Sequence, residues 1–118
     1  MEVYREFRFD AAHLLPELTP GHSCSRMHGH SFRVVVHLEG RVADGTGWVR
    51  DFGEIKEVCR PVIDQLDHSF LNDIPGLENP TSENLAVWIW NRLKPRLPEL
   101  SMVEVSETPS TGCRYRGD

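Results

Sequence analysis

Three histidines in the first third of the chain have the spacing of a metal site. His28-Gly29-His30 leads into a segment of alternating polarity, and in a strand residues i and i+2 point to the same side, with Cα atoms roughly 6.5 Å apart. Both imidazoles can then converge on one ion at about 2.0–2.1 Å. His13 ends the segment 9–13, and an antiparallel partner strand would bring it beside the pair. Three neutral histidines with an open fourth position are typical of catalytic zinc; the alternative is an ordinary surface pair.

Cys24 stands four residues before His28, and this spacing leaves two interpretations open. As a fourth ligand, its thiolate would close a structural zinc site with the three histidines. As a free thiolate beside Zn²⁺, it would have a lowered pKa and could act as a base. We expect Cys59, on an apolar helical stripe, to be a core residue. Ordinary exposed positions are expected for two further histidines, His22 and His37.

Two acidic positions are candidates for acid–base or binding roles. In Asp67-His68 the carboxylate can orient the imidazole and raise its basicity, but a protonated histidine interacting with a helix dipole explains the pair equally well. Glu107 ends a strand with apolar neighbours on its own face. A carboxylate there can accept two parallel N–H bonds, such as those of a guanine-like base; the alternative is a residue at a rim that binds nothing.

Hydrophobic periodicity predicts the strands that position these residues. Alternating apolar side chains predict strands over 3–9, 30–39 and 101–107, and a short last strand over 113–116. Trp48 and Val49 are expected to extend a neighbouring strand. A long loop is expected over 12–29, a stretch punctuated by Pro16, Pro20, Gly21 and Gly29.

The sequence also predicts two helices. The first begins with Asp51 and Glu54 as a capping box, and Pro61 is expected to kink or break it. Its apolar stripe consists of Phe52, Ile55, Cys59, Val62, Ile63 and Leu66. The second helix follows Pro80-Thr81-Ser82-Glu83 and ends at Pro95 or Pro98. Its buried stripe is Leu85, Trp88, Ile89 and Leu93.

Two strands, two helices and two strands in that order predict an α+β fold with a four-stranded antiparallel sheet and both helices on one face. The length of 118 residues fits a single domain, residues 1–118. Two helices cover only one face of such a sheet. The other face, or the edges, must be hidden by something else, and self-association is the simplest way.

Composition excludes several classes of protein. The chain is 39% hydrophobic and 26% charged with a net charge of −5, which is ordinary for a globular protein and unlike a nucleic-acid coat protein. No stretch approaches the roughly 20 apolar residues of a spanning helix, and the first six residues lack the apolar run of a signal peptide. We therefore expect a cytoplasmic, soluble protein with reduced cysteines and neither a membrane nor a nucleic-acid partner.

The combined motifs resemble the 6-pyruvoyltetrahydropterin synthase family, most closely its bacterial queuosine-biosynthesis branch, the 6-carboxytetrahydropterin synthases. The matching segments are FDAAHLLP (9–16), CSRMHGHSF (24–32), GWVRDFGEIK (47–56), LDHSFLND (66–73), NPTSENLAVWIW (79–90) and SETPSTGCRYRG (106–117). The resemblance implies the tunnelling fold, in which three subunits close a twelve-stranded barrel and two trimers commonly stack into a hexamer. The resemblance also implies that the active sites lie between subunits.

The resemblance also implies a reaction. His13, His28 and His30 would bind Zn²⁺, which would acidify a C–H bond of 7,8-dihydroneopterin triphosphate. Cys24 would accept the proton, Asp67 and His68 would shuttle protons, and Glu107 would anchor the pterin and take part in the relay. The products would be 6-carboxytetrahydropterin, acetaldehyde and triphosphate. Two alternatives remain: a 6-pyruvoyltetrahydropterin synthase that only eliminates triphosphate, and a non-catalytic oligomeric module stapled by zinc.

Overall fold

Two long antiparallel strands form the centre of the sheet and carry the histidines. The computed structural model describes residues 1–19 and 21–118. The β-strands are β1 (Glu2–His13), β2 (His28–Glu39), β3 (Ser69–Phe70), β4 (Leu100–Thr108) and β5 (Thr111–Tyr115). The α-helices are α1 (Phe52–Leu66) and α2 (Ser82–Leu93). Short 3₁₀ turns cover Ser23–Ser25 and Leu71–Asp73.

The described strands form one mixed sheet with the order β3-β1-β2-β4-β5. The four longer strands pair antiparallel, as predicted, whereas β3 pairs parallel with β1. The four-stranded prediction missed β3 because a two-residue strand is too short to show alternation. The strand expected at Trp48 and Val49 is wrong, since neither residue is in a strand.

The β1–β2 connection is shorter than the predicted loop over 12–29. β1 continues to His13 and β2 begins at His28, so both strands extend beyond the segments with the clearest alternation. The loop prediction at Pro20 lies outside the described residues. The two strand ends therefore place the histidines inside regular pairing, where their directions are fixed.

Local capping explains where the helices begin. The Asp51 carboxylate accepts a hydrogen bond from Gly53 N–H at 3.0 Å, but Glu54 pairs with Arg50 at 3.4 Å, so only the Asp51 half of the capping box forms.

The first helix continues through Pro61 without a break. Proline has no N–H to donate to the carbonyl of Glu57, and because Glu57 is exposed, water can satisfy that carbonyl.

The second helix has a side-chain N-cap and ends just before a proline. Thr81 is the N-cap of α2, and its hydroxyl accepts from Asn84 N–H at 3.1 Å. The helix ends at Leu93; Lys94 keeps α-helical angles and donates its N–H to Trp90 O, and Pro95 then has no N–H with which to continue the ladder.

Both helices cover the same face of the sheet, as predicted. α1 packs against β1, and α2 packs against β4 and β5. The core between these layers holds the even-numbered apolar residues of β2 and the helix stripes: Phe32, Val34, Val36, Leu38, Ile55, Cys59, Ile63, Leu66, Leu85, Trp88, Ile89 and Leu93. Of the predicted stripe of α1, Phe52 is exposed.

The helix-free face is largely polar, although it also carries the exposed Tyr4 and the buried Val35 and Met102. An alternating row of Glu6, Arg33, Glu104 and Arg114 crosses four strands, with Arg33 bonded to Glu6 and to Glu104, and Arg114 Nε 3.3 Å from Glu104 Oε2. An antiparallel sheet can expose a face of this kind to water. The composition of this face therefore does not by itself require a second subunit to cover it, and self-association stays a prediction. Among the described residues, neither helix has the length and hydropathy to cross a bilayer.

One histidine on this face differs from its prediction. His37 was expected to be exposed, but its side chain is only 15% exposed, and Nδ1 lies 2.8 Å from Glu2 Oε1. Tyr4 packs on it from the neighbouring strand, with ring centroids 5.5 Å apart. The prediction failed because His37 lies in a central strand, where side chains of the strands on both sides cover it.

Candidate metal centre and active site

His13, His28 and His30 form one cluster at the end of the β1–β2 pair. His13 and His28 are direct register partners, and His30 follows on the same face of β2. Their ring centroids are 4.5, 5.1 and 4.8 Å apart, and one nitrogen from each lies within 4.8 Å of the others. The structure therefore brings together all three predicted metal ligands.

The apolar core forms the floor of this cluster. Phe9 and Phe32 stack with ring centroids 4.9 Å apart, and Phe32 meets His13 and His30 edge-on at 5.6 and 5.5 Å. His13 is fully buried. Burial is the main reason that the pKa of His13 lies below its ordinary value, although the Pro80 carbonyl and Glu107 act in the opposite direction. A buried imidazole in its neutral form is the form that binds a metal.

Backbone carbonyls set the orientation of two of the rings. His13 Nδ1 lies 2.8 Å from Pro80 O, and His28 Nδ1 lies 2.7 Å from Arg26 O. Since a carbonyl only accepts, we assign the proton of each neutral ring to Nδ1, which leaves the Nε2 lone pair free. Within the part of the chain that the structure describes, Nε2 of His13 is buried without a hydrogen-bond partner.

These observations test whether the residues fit a metal ion. A buried, unpaired imidazole nitrogen is costly unless something occupies it. Metal-bound histidines usually donate their other ring N–H to a carbonyl or carboxylate, as His13 and His28 do here. The donor set fits a divalent ion that prefers nitrogen, with room for further ligands.

Cys24 lies near the cluster in the chain but is not part of the donor set. It is half-buried on the turn Ser23–Ser25. Its N–H donates to His22 Nδ1 at 3.1 Å, and its carbonyl accepts from Leu15 N–H at 2.9 Å. Over the described residues, the group of mutually close donor atoms contains the three histidines without Cys24. In this geometry the Cys24 sulfur is not a fourth ligand of the histidine cluster.

Glu107 reaches the histidine cluster from β4. The β2–β4 ladder ends at the Arg33–Ser106 pair, and beyond it a cleft of about 590 Å³ is lined by both His30 and Glu107. Glu107 Oε1 accepts from the Ser82 hydroxyl at 2.7 Å. Its Oε2 lies 3.4 Å from His30 Nε2, too far for a good hydrogen bond. Oε1 of the carboxylate is thus held by Ser82, whereas Oε2 has no close hydrogen-bond partner among the described residues.

Asp67 and His68 form a separate group with Asp10. Asp67 Oδ2 lies 3.0 Å from His68 Nδ1, and Asp67 Oδ1 accepts from Asp10 N–H at 3.0 Å. That backbone bond, followed by the His68 contact, lowers the pKa of Asp67. His68 has a positive φ of 57°, an uncommon conformation for a residue other than glycine. The donor atoms of this pair lie outside the group formed by the three histidines, although His68 and His30 line one open cleft.

Some contacts of the site were not predicted. The sequence signal at Pro80-Thr81-Ser82 was interpreted only as a helix start, yet Pro80 holds His13 and Ser82 holds Glu107. Both contacts join segments distant in the chain, so only the fold reveals them.

Two helices on one face of a mixed sheet, with three histidines at the ends of its central strands, are the features to compare with known protein families. Residues 2–118 match the sequence profile of the family described as 6-pyruvoyl tetrahydropterin synthase. The chain belongs to this family.

Individual members of the family are similar to this chain over most of its length. A 6-carboxy-5,6,7,8-tetrahydropterin synthase from Synechocystis is 43% identical over 96% of this chain and 91% of the relative. A dihydroneopterin monophosphate aldolase from Pyrococcus furiosus is 40% identical over 81% of this chain and 76% of the relative. The solved 6-pyruvoyl tetrahydropterin synthase of Caenorhabditis elegans superposes with a TM-score of 0.92 at 29% identity, covering 100% of this chain and 96% of that one.

Proposed function

We propose that this protein is a zinc-dependent 6-carboxy-5,6,7,8-tetrahydropterin synthase of queuosine biosynthesis. It would convert 7,8-dihydroneopterin triphosphate to 6-carboxytetrahydropterin, acetaldehyde and triphosphate. The near full-length similarity to the Synechocystis enzyme supports the activity. The observation that carries the proposal is the cluster of His13, His28 and His30, whose member His30 lines one cleft together with Glu107.

His13, His28 and His30 would hold the metal ion. When bound, Zn²⁺ supplies Lewis-acid polarisation of the side-chain hydroxyl oxygens of the substrate, which acidifies the adjacent C–H bond. Burial favours the neutral form of His13, and the two carbonyl contacts orient the rings of His13 and His28. Zinc is proposed over other divalent ions because three imidazoles are its common catalytic donor set.

Cys24 is the proposed proton acceptor. Its backbone is bonded on both sides, to His22 and to Leu15, so the half-buried thiol stands in a defined place near the strand end that carries His13. A nearby cation stabilises the thiolate over the thiol. Its position outside the donor set leaves the sulfur free for proton transfer.

Glu107 is the proposed anchor for the pterin ring. Its two carboxylate oxygens can accept the 2-amino and ring N–H groups in a fork, and the Ser82 hydroxyl orients the carboxylate through a second lone pair of Oε1. The anchor places the substrate side chain toward His30. The family also assigns a relay role to a glutamate at this position, and we extend that role to Glu107.

Asp67 and His68 are the proposed proton relay. Within one chain they form a group of their own, so we propose that they serve the site of a neighbouring subunit in a trimer or hexamer. The assembled enzyme would be cytoplasmic, with the pterin triphosphate as its small-molecule partner.

The second candidate is triphosphate elimination alone, giving 6-pyruvoyltetrahydropterin. The close superposition on the Caenorhabditis elegans synthase favours it. The zinc-stapled structural module is less favoured, because Cys24 stands outside the donor set.

Metal analysis of two variants separates enzyme from module. Cys24→Ala should keep its metal and lose turnover, whereas His28→Ala should lose both. Loss of metal from Cys24→Ala would contradict the proposed base and support the module.

A further inference from the structure

Asn72 has no role in the chemistry described so far, yet its amide contacts two segments that hold His13. It lies in the 3₁₀ turn Leu71–Asp73 that follows β3. Its Oδ1 accepts from Leu14 N–H at 3.0 Å, and its Nδ2 donates to Leu14 O at 2.8 Å and to Glu78 O at 3.4 Å. We propose that Asn72 is a positioning residue that holds His13 in the orientation needed to bind a metal.

The first contact fixes the backbone of the histidine. The β1–β2 ladder ends at the His13–His28 pair, so the ladder does not supply partners for Leu14, the next residue. The Asn72 amide supplies both, one for the N–H and one for the carbonyl, and thereby continues the pairing by one residue. The peptide plane after His13 is fixed in this way, and with it the direction in which the imidazole leaves the chain.

The second contact supports the ring indirectly, through the segment that contains Pro80. Glu78 lies two residues before Pro80, whose carbonyl accepts from His13 Nδ1 at 2.8 Å. Asn72 holds this segment from one side, and the Asn84 amide of α2 holds it from the other through Asn79 O at 2.8 Å. Asn72 therefore joins the support of the His13 backbone to the support of its Nδ1.

A purely structural role would have a different signature. Loss of the amide would then lower the stability of the fold without a specific effect on the metal. A positioning role predicts weaker metal binding in protein that is still folded, because a misaimed ring loses part of its ligand geometry. Groups that orient a metal-bound histidine are typically worth about 10–100-fold in affinity.

Zn²⁺ retention against a chromophoric chelator tests the inference, with the metal-loaded full chain as starting material. Asn72→Ala should bind Zn²⁺ more weakly by about tenfold, the lower end for groups that orient a ligand. Trp88→Phe is the matched control. It removes the bond from Nε1–H to Pro75 O at 3.3 Å, in the same connection between the turn and α2, without touching Leu14 or Glu78. Its Zn²⁺ affinity should equal that of the wild type.

The inference rests on the proposed function, because it takes His13 as a metal ligand, and the outcomes separate the two. A wild type that binds no Zn²⁺ overturns both. A wild type that binds Zn²⁺, with a folded Asn72→Ala of equal affinity, overturns the role of Asn72 alone.

Circular dichroism establishes whether each variant is folded. Where Asn72→Ala does not fold, Asn72→Asp decides: it keeps the acceptor for Leu14 and loses both donors. Weaker binding despite its added negative charge supports the inference, and equal or tighter binding overturns it.

Discussion

His13 and His28 are direct partners across β1 and β2, with ring centroids 4.5 Å apart. Because side chains alternate along a strand, a slip of one residue in this register would turn one ring to the opposite face. The pairing of the two longest strands therefore builds the candidate metal site, and the burial of Phe9 and Phe32 on the same face fixes the register.

Two histidines of β2 should differ in their effect on metal content. His30→Ala should lose most bound zinc, because it removes one of three donors, whereas His37→Ala should keep it. His37 serves as the matched control since it lies on the opposite face of the same strand, beside Glu2. Zinc per subunit, measured by inductively coupled plasma mass spectrometry, checks this. Equal loss from both variants would contradict the assignment.

Glu107→Gln should weaken substrate binding without loss of metal. The variant replaces one acceptor oxygen by a donor, and bonds to a charged group contribute about 1.5–3 kcal/mol, on the order of 10–100-fold in Kd. Titration with a non-reactive pterin measures the effect. Glu104→Gln is the control on the same strand, because Glu104 pairs with Arg33 and Arg114 on the helix-free face. Unchanged binding by Glu107→Gln would exclude the anchor role.

Two inactive variants should restore each other if the site is shared between subunits. His68→Ala and Cys24→Ala, refolded together in equal amounts, should give about a quarter of wild-type activity by random assembly. The control mixture is His28→Ala with Cys24→Ala, which should stay inactive because both residues belong to the same chain's half of the site. Recovery no greater than the sum of the parents would place the whole site within one chain.

Cys59 should make stability depend on alkaline pH. Burial raises the pKa of its thiol from 9.0 to about 12. The unfolded chain therefore loses this proton first, and the stability contributed by the neutral thiol is present below pH 9.0 and is lost as the pH rises toward 12. The difference in unfolding free energy between wild type and Cys59→Ala should fall above pH 9.0 by up to about 1.36 kcal/mol per pH unit. Urea unfolding under reducing conditions measures it, and a constant difference would contradict the raised pKa.

The sequence was most informative where periodicity and chemistry coincide. Alternation predicted the four longer strands, and the spacing of His28 and His30 predicted their common face. The hydrogen bonds of Asn72, Pro80 and Ser82 could not be predicted, because each joins segments that only the tertiary fold brings together. β3 was missed for the same reason: its two residues pair with β1 through the position of α1 and not through a pattern of their own.

The identity of the product tests the central proposal most directly. Zinc-loaded protein is incubated with 7,8-dihydroneopterin triphosphate, and the products are identified by mass spectrometry. The proposed function predicts 6-carboxytetrahydropterin together with acetaldehyde. Formation of 6-pyruvoyltetrahydropterin would contradict carbon–carbon cleavage and favour elimination alone, and no conversion by fully metal-loaded protein would contradict an enzymatic role on this substrate.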